Sequence, residues 1–149
     1  MPLSLRRAQK TDVRTQFAAL CYRITNDKPQ ILLITSLSAK RWIVPKGWPE
    51  HGLTPAQSAA REAWEEAGVR GDVAQQAIGL FSYVKVGDAQ RLPCVALVFP
   101  LQVRKLSDKF PERNLRQRAW FSRNKAAAAV REPELAQLLR QFDPRLLRR

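Results

Sequence analysis

The segment Arg61-Glu62-Ala63-Trp64-Glu65-Glu66-Ala67-Gly68-Val69 holds three glutamates at spacings that suit a helix. At about 100° per residue, Glu62, Glu65 and Glu66 project from one arc roughly 100° wide. Like charges this close repel one another and disfavour the helix at neutral pH. A bound cation removes that penalty. Hard cations such as Mg²⁺ take oxygen ligands, commonly one or two carboxylates with water and substrate phosphates. The alternative is a solvated, Glu-rich helix face with Arg61 and Glu65 as an i,i+4 pair. Glu50 lies just upstream, so four of the chain's 13 acids fall within 17 residues. The chain as a whole is basic: 26 Lys plus Arg against 13 Asp plus Glu, a net charge of +13. An acidic patch on that background suits a divalent cation set among groups that bind phosphate. The charge is compatible with nucleic acid, an anionic membrane surface or a small polyphosphate as partner. His51 is the only histidine. No Ser-His-Asp set and no Cys/His metal cluster is visible, and His51, in a Pro/Gly loop, reads as solvent-exposed.

The three carboxylates need a well-defined helix, and the sequence supplies one from Thr54 to Ala67. Thr54 suits the N-cap, Pro55 the first helical position, Gln57 completes a capping box and Gly68 ends the helix. Ala56, Ala60, Ala63 and Ala67 form a small-residue stripe that lets this helix lie close on a sheet. Apolar stretches at Gln16–Ile24 and Gln30–Leu37 read as strands joined through the turn residues Asn26-Asp27-Lys28-Pro29. Trp42-Ile43-Val44 is a short strand stopped by Pro45, and a loop with Gly47, Pro49 and Gly52 follows. Ala77–Val86 and Arg91–Val103 are longer strands around a turn at Gly87-Asp88-Ala89-Gln90. Leu106–Leu115 is a polar loop and Arg118–Ser122 a short strand. Helices are expected at Asn124–Arg131 and from Pro133 to about Phe142, the latter with Leu135, Leu138, Leu139 and Phe142 on one face. With 149 residues, the chain divides into a basic lead-in (1–13), one domain (14–142) and a basic, frayed tail (143–149). No apolar run approaches the roughly 18 residues of a membrane helix, and no secretory signal is visible. Cys21 and Cys94 sit in apolar stretches and read as reduced core residues of a cytoplasmic protein.

Gly47 followed by Arg61-Glu62-Ala63-Trp64-Glu65-Glu66-Ala67-Gly68-Val69 resembles the Nudix box, GX5EX7REUXEEXGU with U apolar, and the spacing from Gly47 to Arg61 matches without a gap. The resemblance implies an α/β fold, a mixed β-sheet sandwiched between helices. It also implies hydrolysis of a diphosphate linkage by water attack at phosphorus, dependent on Mg²⁺ or Mn²⁺. Glu65 and Glu66 match metal ligands, Glu62 a ligand or general base, and the Gly47 carbonyl can join the metal shell. Arg61 matches the arginine that orients a box glutamate. A further acidic ligand often comes from a late loop, for which Glu112 is the first candidate and Asp108 the second. One position departs: the first box glutamate falls at 53, where this chain has Leu53. Glu50, three residues earlier, cannot simply occupy the same place. Two readings are open there, an active subgroup that tolerates leucine and a weakened or non-catalytic domain.

Arg41-Trp42-Ile43-Val44-Pro45-Lys46-Gly47-Trp48, with Tyr83-Val84-Lys85 later, resembles the branch that contains diphosphoinositol polyphosphate phosphohydrolases and diadenosine polyphosphate hydrolases. Arg41, Lys46 and Lys85 could line one side of a polyphosphate pocket. Trp48 could stack on a base or cover the pocket mouth, whereas Trp42, Trp64 and Trp120 read as core. The main expectation is a metal-dependent pyrophosphohydrolase acting on a small, highly anionic polyphosphate. The second is a binding module that uses the same fold to hold RNA or another polyanion, motivated by Leu53, the net charge and the Arg-rich segments Arg113–Arg123 and Arg145–Arg149. The three helical glutamates favour the enzyme, because their repulsion has no other visible compensation.

Overall fold

In the computed structural model of the chain, described over residues 13–86 and 91–147, eight strands form one mixed sheet with helices on both faces. The lead-in up to residue 12, the expected turn Gly87-Asp88-Ala89-Gln90 and residues 148–149 lie outside the described residues. The centre of the sheet is β1 (Arg14–Thr25). It runs parallel to β7 (Arg91–Leu106) on one side and antiparallel to β2 (Lys28–Thr35) on the other. β1 is buried without a break from Gln16 to Tyr22. Phe17, Ala19 and Cys21 enter one core while Ala18, Leu20 and Tyr22 enter the other. A strand covered on both faces loses the in–out polarity alternation, hence its continuous apolar run.

The connection from β1 to β2 takes only Asn26 and Asp27, both left-handed at φ 52° and 64°. That pair of positive φ values defines a type I′ turn, whose twist matches the strands it joins. The strand β2 also pairs with β3 (Trp42–Ile43) and β8 (Arg118–Ser122), while β6 (Gly79–Val86) pairs with β7.

Helix α1 (Pro55–Ala67) lies on the Phe17/Ala19/Cys21 face. Its first turn carries the expected capping box, Thr54 Oγ1 accepting from Gln57 N–H at 3.1 Å and Gln57 Oε1 from Thr54 N–H at 2.9 Å. Gly68 ends it at φ 70°. The fully buried alanines are Ala56, Ala59, Ala63 and Ala67, with Ala60 at the edge of the stripe. On the opposite face pack α2 (Arg123–Ala129) and α3 (Pro133–Gln141). Ser122 caps α2, Oγ accepting from Lys125 N–H, which sets its start one residue before the expected position. Leu135 and Leu139 carry α3 into the core with Phe142 behind them.

Two strands escape sequence patterning. β4 (Lys46–Gly47) is a two-residue ladder against Phe17 and Ala18, inside what reads as a loop. β5 (Val69–Val73) pairs with the far half of β7, buries only Val69 fully and shifts register at Arg70/Gly71. The tail is folded rather than frayed as far as Leu147: Asp143 caps a 3-10 turn over Pro144–Leu146, and Leu147 packs against the core. Cys21 and Cys94 are buried and free. Trp42 and Trp120 pack against the cores. Trp64 instead is half-buried, with the Arg70 guanidinium 3.9 Å above its ring.

Candidate active site

Pairing of β4 with β1 holds Gly47 beside α1, close enough that a Cβ at position 47 would overlap the Glu62 carboxylate. Glycine here leaves room for the approach of a functional side chain, whose carboxylate would have to move aside for any larger residue. One turn on, Glu66 is buried at 7% exposure, and its Oε1 accepts from the Lys46 N–H at 3.4 Å. The Glu62 and Glu66 carboxyls hydrogen-bond to each other. Burial, then the bond to Glu62, raises the Glu66 pKa to about 8, and burial also raises that of Glu62. Two adjoining carboxyls, one buried and one at the edge of a hollow, form a place where a divalent cation can take the position of a proton.

Glu65 faces elsewhere. Its Oε1 accepts from Arg61 Nε at 3.1 Å, and the same nitrogen lies 3.2 Å from Glu50 Oε2. Among the described residues no three Asp, Glu, His or Cys side chains converge as a ready metal cage. Two acids, with room for further oxygen ligands, suit Mg²⁺, which keeps waters and takes substrate phosphates. Glu112 stands nearby: its charge raises both Glu62 and Glu66, and its N–H donates to the Glu65 carbonyl at 3.0 Å. Asp108 is fully exposed, 3.6 Å from Arg118, and is not brought to the site.

Beside the acids lies a hollow of about 290 Å³ whose walls include Glu50, Glu62, Gly47, Lys46, Lys85 and Gln16, with Trp48 at its rim, 40% exposed. The Lys46 ammonium lies over the Tyr83 ring at 4.9 Å, and the Tyr83 hydroxyl donates to Gln16 Oε1. Burial lowers the Lys46 pKa to about 8, against the opposing pull of Glu66 and Glu132. Lys85 is exposed at the opening. Arg41 is not among the walls of this hollow; it pairs with Glu132 at 3.1 Å, although its charge is felt at Lys46. His51 is exposed, as expected.

Two residues at the site carry no signal in the sequence. Arg116 is 9% exposed, donates to Glu112 Oε1 at 2.9 Å and to the Thr35 carbonyl at 3.0 Å, and lies 3.8 Å from Glu66 Oε1. Glu132, at the N-cap of α3, is buried beside Arg41 with Oε1 unpartnered. Both read as surface charges in the sequence because a partner that buries each, Thr35 for Arg116 and Arg41 for Glu132, lies more than 80 positions away.

Comparison with known proteins adds to this geometry. A family profile described as NUDIX domain matches residues 14–144. Nudix hydrolase 12, mitochondrial, of Arabidopsis thaliana is 30% identical over 120 residues, which cover 78% of this chain and 59% of that protein. Diphosphoinositol polyphosphate phosphohydrolase 2 of Rattus norvegicus is 34% identical over 80 residues, 54% of this chain and 44% of that protein. The chain thus spans less than two thirds of the length of both relatives. Among solved structures, the C. elegans Ap4A hydrolase superposes with a TM-score of 0.62 at 20% identity, covering 88% of this chain and 96% of the other. That likeness is one of fold.

Proposed function

The chain belongs to the Nudix family, and on that premise we propose that it is a metal-dependent pyrophosphohydrolase that cleaves a phosphoanhydride bond in a highly anionic substrate, of the diphosphoinositol polyphosphate or dinucleoside polyphosphate class. The observation that carries this reading is the Glu62–Glu66 carboxyl pair, of which Glu62 lies against Gly47 in the wall of a hollow that also presents Lys46 and Lys85, with the buried Glu66 behind it. Glu62, Glu66 and the Gly47 carbonyl would hold Mg²⁺ or Mn²⁺, with Glu65 and Glu112 as the outer acids of the set. When bound, the ion neutralises phosphate charge as it builds up at the reacting phosphorus. Lys46 and Lys85 hold phosphate oxygens, and Lys46 is kept in place by burial beside Tyr83. Arg61 keeps Glu65 on its side of the helix. In the reaction a water oxygen bonds to phosphorus and the bridging P–O bond breaks with its electrons going to the leaving phosphate. The water proton passes to a site carboxylate, for which Glu62 is the candidate.

The polyanion-binding alternative draws less support from the molecule. Of the four arginines in Arg113–Arg123, Arg116, Arg118 and Arg123 each donate to a backbone carbonyl, those of Thr35, Ala67 and Phe142. Arginines committed to the fold are poorly placed to track a phosphate backbone. Phosphate release from a panel of diphosphoinositol polyphosphates, diadenosine polyphosphates, ADP-ribose, NADH, nucleoside triphosphates and 5′-triphosphate RNA tests the proposal, with a coupled phosphatase where needed. Each substrate is measured with Mg²⁺, with Mn²⁺ and with chelator. Metal-dependent turnover confined to one of the first two classes is expected. Turnover of another class alone would overturn the substrate assignment, and silence across the panel would overturn the enzyme.

A further inference from the structure

We infer that Glu50 is a positioning residue: acting through Arg61, it fixes Glu65 and ties the loop after β4 to α1, so that a loop carboxylate is supplied although position 53 holds leucine. The inference rests on the metal-binding reading given above, in which Glu62 and Glu66 hold the ion and Glu65 is an outer acid of the set. Arg61 Nε lies 3.2 Å from Glu50 Oε2 and 3.1 Å from Glu65 Oε1, so one donor is held between a carboxylate of its own helix and one from the loop. An exposed i,i+4 pair alone holds a long side chain weakly. A second carboxylate, arriving from a different element, removes much of the freedom left to the guanidinium.

Glu50 can do this because it is itself anchored at both backbone groups. Its N–H donates to Ser58 Oγ at 3.4 Å, and its carbonyl accepts from Leu53 N–H at 3.2 Å. Ser58 is buried on α1, so the backbone of Glu50 is tied to the helix that its side chain also reaches. Glu50 and Glu62 line the same hollow, and the charge of Glu50 is felt at Glu62. Leu53 is half-buried and offers no side-chain acceptor. The carboxylate that Leu53 lacks therefore comes from three residues upstream by a different path, around Gly52 at φ 83°.

The test uses the full chain and the variants Glu50→Gln, Arg61→Gln, both together, Leu53→Glu and, as control, Glu66→Gln. Mn²⁺ affinity is read by EPR titration, the Arg61 Nε–H signal by ¹⁵N NMR, and folding by Tm. Glu50→Gln is expected to weaken Mn²⁺ binding by about tenfold, in the range of partners that orient metal ligands. It should also shift the Arg61 Nε–H signal, which then reports the bond to Glu65 alone, with Tm unchanged. Arg61→Gln should cost as much, the double variant no more, and Leu53→Glu should add no affinity. An unmoved Arg61 signal in Glu50→Gln, additive losses in the double variant, or a gain from Leu53→Glu would each overturn the role of Glu50. If Glu66→Gln leaves Mn²⁺ affinity intact, the metal reading itself fails, and the Arg61 signal still decides whether Glu50 positions it.

Discussion

Glu66 shows how one buried acid couples chemistry to stability. Its pKa in the metal-free fold is about 8, against an ordinary value of 4.5, because burial disfavours the carboxylate. Between those values the folded protein holds more protons than the unfolded chain, so stability falls as pH rises across the window. Glu62 shifts in the same direction, whereas Lys46, whose pKa is lowered to about 8, acts in the opposite sense only above that value. The Tm of metal-free protein should therefore fall between pH 5 and pH 8. Added Mg²⁺ should raise it more at pH 8, where less proton must be displaced. Thermal scans at several pH values check this, and a Tm that rises with pH in metal-free protein would contradict it. The i,i+4 relations of Glu62 with Glu66 and of Arg61 with Glu65 were legible in the sequence because helix geometry fixes them, whereas Gly47 was marked only by the resemblance to the Nudix box. Arg116 and Glu132 were not, because only tertiary folding brings Thr35 and Arg41 to them. The pairing of Glu50 with Arg61 was hidden for the same reason: spacing places Glu50 in the wrong box position, and only the path of the loop brings its side chain back.

The elements differ in how much of their placement is local. α1 was readable to the residue, since Thr54, Pro55, Gln57 and Gly68 each satisfy a terminal backbone need within the helix's own sequence. The type I′ turn at Asn26-Asp27 was readable in kind, though it takes two residues rather than four. β5 was not, because a polar edge segment, Val-Arg-Gly-Asp-Val, has one buried side chain and is a strand only through its partner β7. β4 has the same cause and a larger consequence. Its two ladder residues seat Gly47 against Glu62, so the site depends on a pairing that the sequence does not signal. Gly47→Ala should displace the Glu62 carboxylate, the flexible end of a half-buried side chain, at a cost of at most about 1 kcal/mol, the low end for overpacking. It should also weaken metal binding. Denaturant melts with Mn²⁺ titration measure both, and unchanged metal affinity would remove Gly47 from the site.

At the scale of the whole molecule, the net charge of +13 surrounds a small acidic centre. A field of that sign raises the local concentration of a polyanion and weakens with salt. KM for the substrate should accordingly rise between low and physiological ionic strength while kcat holds steady, and initial-rate kinetics across a salt series would show it. A KM indifferent to salt would mean that recognition is confined to contacts inside the hollow. A mixed sheet with one early and two late helices was legible from the pattern and its α/β/α layering from the resemblance to the Nudix box, and the fold brings Gly47, Glu62 and Glu66 together from positions up to 19 residues apart. The account depends most on that convergence. The direct measurement is phosphate release in Mg²⁺ by the native chain and by Glu66→Gln, side by side, on the substrate that the panel identifies. The account predicts turnover by the native protein that chelator abolishes, and a loss of at least about a hundredfold in the variant. Equal rates for the two proteins would contradict it.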